Sequence, residues 1–164
     1  MMAPDQLSLL MDEHMTALIL YARQWCRSPE DVVQEAFVKL TAAATVVASP
    51  AGWLYRVVRN GAISAARSDK VRRDRETEAA SLAQNWFAAN DPATRDLADL
   101  LAMLPLEQRE AIVAHVWGRL TFAEIANLSG SSAATVHRRF VEGLAILKEK
   151  LADVHVPPAD PGGN

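Results

Sequence analysis

Residues 120–151 read LTFAEIANLSGSSAATVHRRFVEGLAILKEKL, and the reading of this stretch decides the fold class. Thr121 followed three residues later by Glu124 is a capping box, in which side chain and backbone at a helix start satisfy each other reciprocally. Phe122, Ile125, Ala126 and Leu128 then recur at helical spacing. Ser129-Gly130-Ser131 stops that helix, because glycine accepts the left-handed conformation that reverses a chain. Ser132 is placed to cap a second helix, with a buried stripe expected at Val136, Phe140, Leu144, Leu147 and Leu151. Thr135, Arg138, Arg139 and Glu142 gather on the far face, with His137 at its margin. Two helices joined in this way, the second carrying hydroxyl and basic groups near its start, form the helix-turn-helix whose second helix enters a DNA major groove. The bland alternative is a plain helical hairpin, but caps, turn and outward chemistry agree on the first reading.

Upstream, residues 51–68, AGWLYRVVRNGAISAARS, also read as a two-faced helix. On a wheel at about 100° per residue, Asn60 and Arg67 fall close to Arg56, and Arg59 lies about 60° to one side. Leu54, Val58, Gly61 and Ala65 cluster opposite. One face therefore buries while the other presents guanidinium groups, which suit phosphate oxygens, and an amide, which suits a base edge. An exposed helix with ordinary surface arginines explains the same pattern. Trp53 and Tyr55 are either stacking platforms for bases or core, and the core reading is preferred for Trp53.

The net charge of −3 conceals an uneven distribution. Residues 53–75 hold seven basic groups against two acidic ones, whereas residues 1–50 hold three basic and six acidic. A charge run is often only a solvated helix face. An acidic half joined to a basic stripe also fits a protein that meets DNA on one side and a protein partner on the other.

In the acidic half, Leu7 to Trp25 forms a first amphipathic helix, broken at Ser28-Pro29. Pro29 suits a first helical position, and Glu30 and Asp31 complement the helix N-terminus. The helix that follows runs to about Ala43, with Val33, Phe37 and Leu40 inward and Asp31, Gln34, Glu35 and Lys39 mostly off that face. Pro50 opens a third helix running to about Ser68. Residues 69–95, with the turn signal Asn90-Asp91-Pro92, read as a linker with room for helical stretches, and the Pro/Gly-rich tail reads as disordered.

Half the residues are apolar, yet no apolar run reaches the ~20 residues of a membrane span, and the acidic N-terminus makes a poor secretory signal. The lone Cys26 forms no internal disulfide, which suits a reducing cytoplasm. Scattered histidines without cysteine partners give no metal site, and no cofactor is implied. Glu107, Glu110 and Glu124 read as surface and capping residues. No nucleophile, base and orienting group occur together, and SGSS follows no strand, so an enzyme is not expected.

Together the segments resemble the extracytoplasmic-function (ECF, group 4) RNA polymerase sigma factors. SPEDVVQEAFVKL resembles the family's polymerase-docking segment, SPAGWLYRVVRNGAISAAR its minus-ten helix, and residues 100–151 its minus-thirty-five domain. The resemblance implies an all-α protein of two small helical domains joined by a linker. These are a sigma region 2 bundle at 1–75, a linker at 76–95, a region 4 helix-turn-helix at 96–152 and a disordered tail at 153–164.

It also implies roles. Asp31, Gln34 and Glu35 would contact core polymerase, whose β′ clamp helices and β flap are the expected docking sites. Arg56, Arg59 and Arg67 would hold minus-ten phosphates, with Asn60 near the flipped base. Thr135, His137, Arg138 and Arg139 would meet the minus-thirty-five duplex, with Ser132 as the cap. Promoter DNA is the second partner. In the family an anti-sigma factor or an appended domain often holds the halves shut, and the tail after Leu151 is too short for such a domain.

The chain departs from the family pattern at Ser64, where Asp is common, and at Glu142, where a basic residue is common. The loop AAATVVAS at 42–49 offers few polar groups for a base pocket. Glu142 would either accept from a cytosine amino group or lower affinity for phosphate. These differences bear on the promoter read. Two rivals remain at this level: a stand-alone helix-turn-helix regulator, and a helical polymerase-binding adaptor without promoter activity.

Overall fold

The structure, a computed structural model, describes residues 3–43, 47–75 and 99–154. Its elements are α1 (Pro4–Ala22), α2 (Pro29–Ala42), α3 (Pro50–Arg75), α4 (Leu106–Val116), α5 (Phe122–Ser129) and α6 (Ala133–Val154). Among the described residues there is no strand, so the all-α expectation holds. The expected linker at 76–95, its Asn90-Asp91-Pro92 turn, part of the loop at 42–49 and the tail after Val154 lie outside the described residues.

A proline opens each helix of the first half, where a ring-fixed φ and a missing N–H cost nothing. Three boundaries differ from the sequence reading, the first being the start of α1 at Pro4 rather than Leu7. Helix α1 stops at Ala22 rather than Trp25, because the N–H groups of Arg23 and Trp25 close a turn onto Ile19 and Ala22. Helix α3 runs to Arg75, not Ser68, so the first residues assigned to the linker are helical. That charged run contains no Gly or Pro, and Arg72 pairs with Asp69 one turn back at 2.8 Å.

The helix-turn-helix forms as its local signals require. Thr121 and Glu124 make both capping-box bonds, the Glu124 N–H donating to Thr121 Oγ1 at 3.2 Å and the Thr121 N–H to Glu124 Oε2 at 2.8 Å. Gly130 takes φ 67°, ψ 30°, the left-handed conformation that ends α5. Ser132 Oγ accepts the Thr135 N–H at 3.1 Å and so starts α6.

Leu18, Tyr21, Val33, Leu54, Tyr55 and Val58 fill the first half, and Leu101, Ile112, Val113, Ile125 and Val136 the second, in one connected core. The two halves touch: α1 packs on α4 and α3 on α5. The α6 stripe needs correction. Val136 and Leu147 are buried and Phe140 half-buried, but Leu144 and Leu151 are 40% and 52% exposed. At about 100° per residue Leu144 lies about 80° around the helix from Val136, off the face that Gly143 presents to Ile112 of α4, while Leu151 lies in the last turn, past the buried Leu147.

Gly143 sets the approach of α6 to α4, since a Cβ there would lie 2.7 Å from Ile112 Cδ1 and 3.2 Å from Gln108 Cβ. Gly143→Leu is expected to cost about 1–3 kcal/mol in chemical denaturation through overpacking. Unchanged stability would mean that the two helices can separate without penalty.

Candidate functional site

Three helical surfaces carry the residues singled out by sequence. On α2, Asp31, Gln34 and Glu35 are all exposed, while Val33, Ala36, Phe37 and Leu40 anchor the opposite side in the core. Lys39 Nζ lies 2.7 Å from Glu35 one turn on, and Arg23 pairs with Glu30 at 2.9 Å. Val38 stands among the polar groups of this face, 64% exposed. Sequence reasoning passed over it, although an apolar residue on the outward side of the wheel is the signal of a contact surface.

On α3, Arg56, Asn60 and Arg67 face solvent, as the wheel predicts. Tyr55 is fully buried and belongs to the core, edge-on to Tyr21 with ring centroids 5.1 Å apart. Trp53 is only half-buried, so the core expectation is met in part. With Arg56 it borders a cavity of about 280 Å³ whose other wall includes Glu124 and Asn127 of α5.

Arg59 differs from its neighbours. Its Nε donates to Glu110 Oε1 at 2.8 Å, and a second guanidinium nitrogen reaches Oε2 at 3.5 Å. Tyr21 donates its hydroxyl to the same Oε1 at 2.7 Å, and the Arg59 guanidinium lies over Trp25 at 5.5 Å. Glu110, read from sequence as a surface residue, is therefore corrected: it is 5% exposed, on α4, turned into the first half. No local signal marks it, because its partners lie 51 and 89 residues away.

Burial and the adjoining Glu110 carboxylate hold the Tyr21 phenol well above its ordinary pKa, so it remains a neutral donor. Burial of the Arg59 guanidinium works against its charge, but the hydrogen bond and charge of Glu110 outweigh this and raise its pKa. The cluster is thus a desolvated carboxylate fully occupied by one cation and one phenol.

On α6, Ser132, His137 and Arg138 are exposed and Thr135 and Arg139 half-buried. Ser132 and Thr135 are joined at 2.9 Å between hydroxyls, which fixes the first turn. Arg138 lies 3.8 Å from Glu142 one turn on. The His137 ring meets Phe122 edge-on at 5.1 Å, which leaves it at the margin of this face. Among the described residues no cluster of three His, Cys, Asp or Glu side chains is placed to hold a metal, and no helix is long and apolar enough to cross a membrane.

The family models agree with this layout. The model described as sigma-70 region 2 matches residues 10–72, and that described as sigma-70, region 4 matches residues 94–147. The ECF RNA polymerase sigma factor SigJ of Mycobacterium tuberculosis is 34% identical over 66% of this chain and 38% of its own length. The chain thus spans well under half the length of that curated relative. Among solved structures, the sigma factor RpoE of Bartonella quintana, in complex with the anti-sigma factor NepR, superposes with a TM-score of 0.67. It is 22% identical, and the match covers 92% of this chain and 98% of that one. CnrH in complex with the cytosolic domain of CnrY gives a TM-score of 0.60 at 22% identity, over 94% and 92% of the two chains. At that identity the two structures show a shared fold. With both sigma-70 regions present in order, each on its own helical half, and a curated relative of the same type, the chain belongs to the extracytoplasmic-function sigma factors of the sigma-70 family.

Proposed function

We propose that the chain binds core RNA polymerase through the outward face of α2 and directs promoter-specific transcription initiation through α3 and α6. The observation that carries this reading is the exposure of the Asp31, Gln34 and Glu35 face on the same chain as a capped helix-turn-helix. A stand-alone regulator has no need of the first. Val38 gives the docking face an apolar centre, which a protein contact favours over a merely solvated one.

In this mechanism chemistry belongs to the polymerase and this chain supplies placement. Arg56, Arg59 and Arg67 hold minus-ten phosphates while Asn60 sits near the captured base, whose unstacking costs roughly a few kcal/mol. Thr135, His137, Arg138 and Arg139 meet the minus-thirty-five duplex, with α6 positioned by the Ser132 cap. The exposed Val141, Leu144 and Leu151 of α6 support a contact with the β flap. Domain limits of 1–75 and 96–152, a cytoplasmic location and an anti-sigma partner belong to the same proposal. The last is supported by the structural neighbour RpoE, a sigma factor solved with the anti-sigma factor NepR.

Two weak DNA contacts gain from being held on one scaffold, so the free chain is expected to show negligible promoter affinity. Run-off transcription with purified core polymerase on a genomic library should give discrete start sites that vanish when the chain is omitted. Tight, specific promoter binding by the chain alone at physiological salt would instead favour the stand-alone regulator.

A further inference from the structure

We propose that Glu110 is a built-in latch. By occupying the Arg59 guanidinium it keeps the two halves closed in the free chain and withholds one phosphate-binding group from the minus-ten helix. This rests on the function proposed above, because it takes Arg59 to be a DNA contact.

The geometry separates Arg59 from an ordinary surface arginine. Of the four minus-ten residues, Arg56, Asn60 and Arg67 are exposed and only Arg59 is engaged across the boundary between the halves. Both Glu110 oxygens face Arg59, and Oε1 also receives the Tyr21 hydroxyl. A phosphate would offer Arg59 the same kind of charged, forked acceptor, so the carboxylate and the DNA backbone compete for one group.

The contact is shaped as well as charged. Gly118, in the turn after α4, lies against Tyr55, and a Cβ there would sit 2.8 Å from the Tyr55 hydroxyl oxygen. Arg119 beside it takes φ 55°, an uncommon conformation for a residue with a side chain, and reaches Glu13 of α1 at 3.7 Å. The same interface buries the Tyr55 hydroxyl without a hydrogen-bond partner among the described residues. Beside its apolar contacts the seam thus holds a buried ion pair and an unsatisfied hydroxyl, and opening returns these polar groups to water. On opening, Glu110 gains water and Arg59 gains DNA. Polymerase, by holding the halves on separate sites, would release the latch.

The test uses the full chain and the variants Glu110→Ala and Glu110→Gln, with Glu107→Gln as control. The control makes the same charge change as Glu110→Gln at an exposed position one turn away. Small-angle scattering of the free proteins should show a larger radius of gyration for both Glu110 variants and none for the control. Fluorescence anisotropy with a single-stranded minus-ten oligonucleotide, without polymerase, should show about a tenfold gain in affinity. That is the size expected when a competent state of roughly a tenth becomes dominant. Far-ultraviolet circular dichroism checks that helices persist, and the near-isosteric Gln variant remains informative should the Ala variant lose them.

Unchanged scattering overturns the latch. So does a gain in DNA affinity matched by Glu107→Gln, or an opened chain with no gain. Failure of the function itself reads differently: the wild-type chain would give no start sites with core polymerase, whatever the scattering shows.

Discussion

Alanine at Asp31, Gln34 and Glu35 together is expected to weaken binding to core RNA polymerase by at least about 30-fold and to abolish run-off transcription. The magnitude follows from one hot-spot contribution of about 2 kcal/mol, taking about 1.4 kcal/mol per tenfold change. All three side chains are exposed and none supports the core, so folding should be nearly unaffected. Their internal costs are the exposed Glu35–Lys39 pair, worth about 0.3–0.5 kcal/mol, and the placement of Asp31 in the first turn of α2, worth about 0.3–1 kcal/mol. A pull-down titration with core enzyme, paired with thermal melting, separates the two effects. Less than a threefold change in affinity would remove α2 as the docking surface.

The second large effect concerns Tyr55, where the two readings of the sequence predict opposite outcomes. As a stacking platform for DNA it would matter to binding and little to folding. As found, it is fully buried, edge-on to Tyr21 and His14, with Gly118 against its hydroxyl. Tyr55→Ala should therefore destabilise the chain by about 3–5 kcal/mol, as loss of a buried aromatic ring does. Tyr55→Phe should be neutral or stabilising by up to about 1 kcal/mol, because it removes a hydroxyl buried without a partner among the described residues. Burial pushes the Tyr55 phenol well above its ordinary pKa, so no ionisation of this group complicates the comparison at neutral pH. Chemical denaturation of both variants decides the matter. A Phe variant with normal stability but lost minus-ten binding would return Tyr55 to the DNA surface.

The fate of the arginines shows where reading from sequence stops. The wheel placed Arg56, Asn60 and Arg67 on the open face of α3, and they are there, because one helix fixes its own angular positions. It also placed Arg59 to one side, but not against what. That side is where α4 arrives, and its arrival turns an expected DNA contact into the partner of a buried carboxylate. Likewise the α6 stripe holds at Val136 and Leu147 and fails at Leu144 and Leu151, since periodicity reports a face and not how wide or how long a strip of it the neighbouring helices cover.

Sequence alone determined five of the six helices, the proline starts of α2 and α3, the Thr121–Glu124 cap, the Gly130 turn and the outward chemistry of α2, α3 and α6. These follow from interactions within a few residues, and the capping atoms meet within 3.2 Å of one another. Tertiary structure alone decided that the halves close on each other and that Glu110 sits in the seam with Tyr21 and Arg59. The physical reason is that local geometry is set by the backbone of one segment, whereas desolvation of a charge depends on everything that packs around it, including groups 89 residues away.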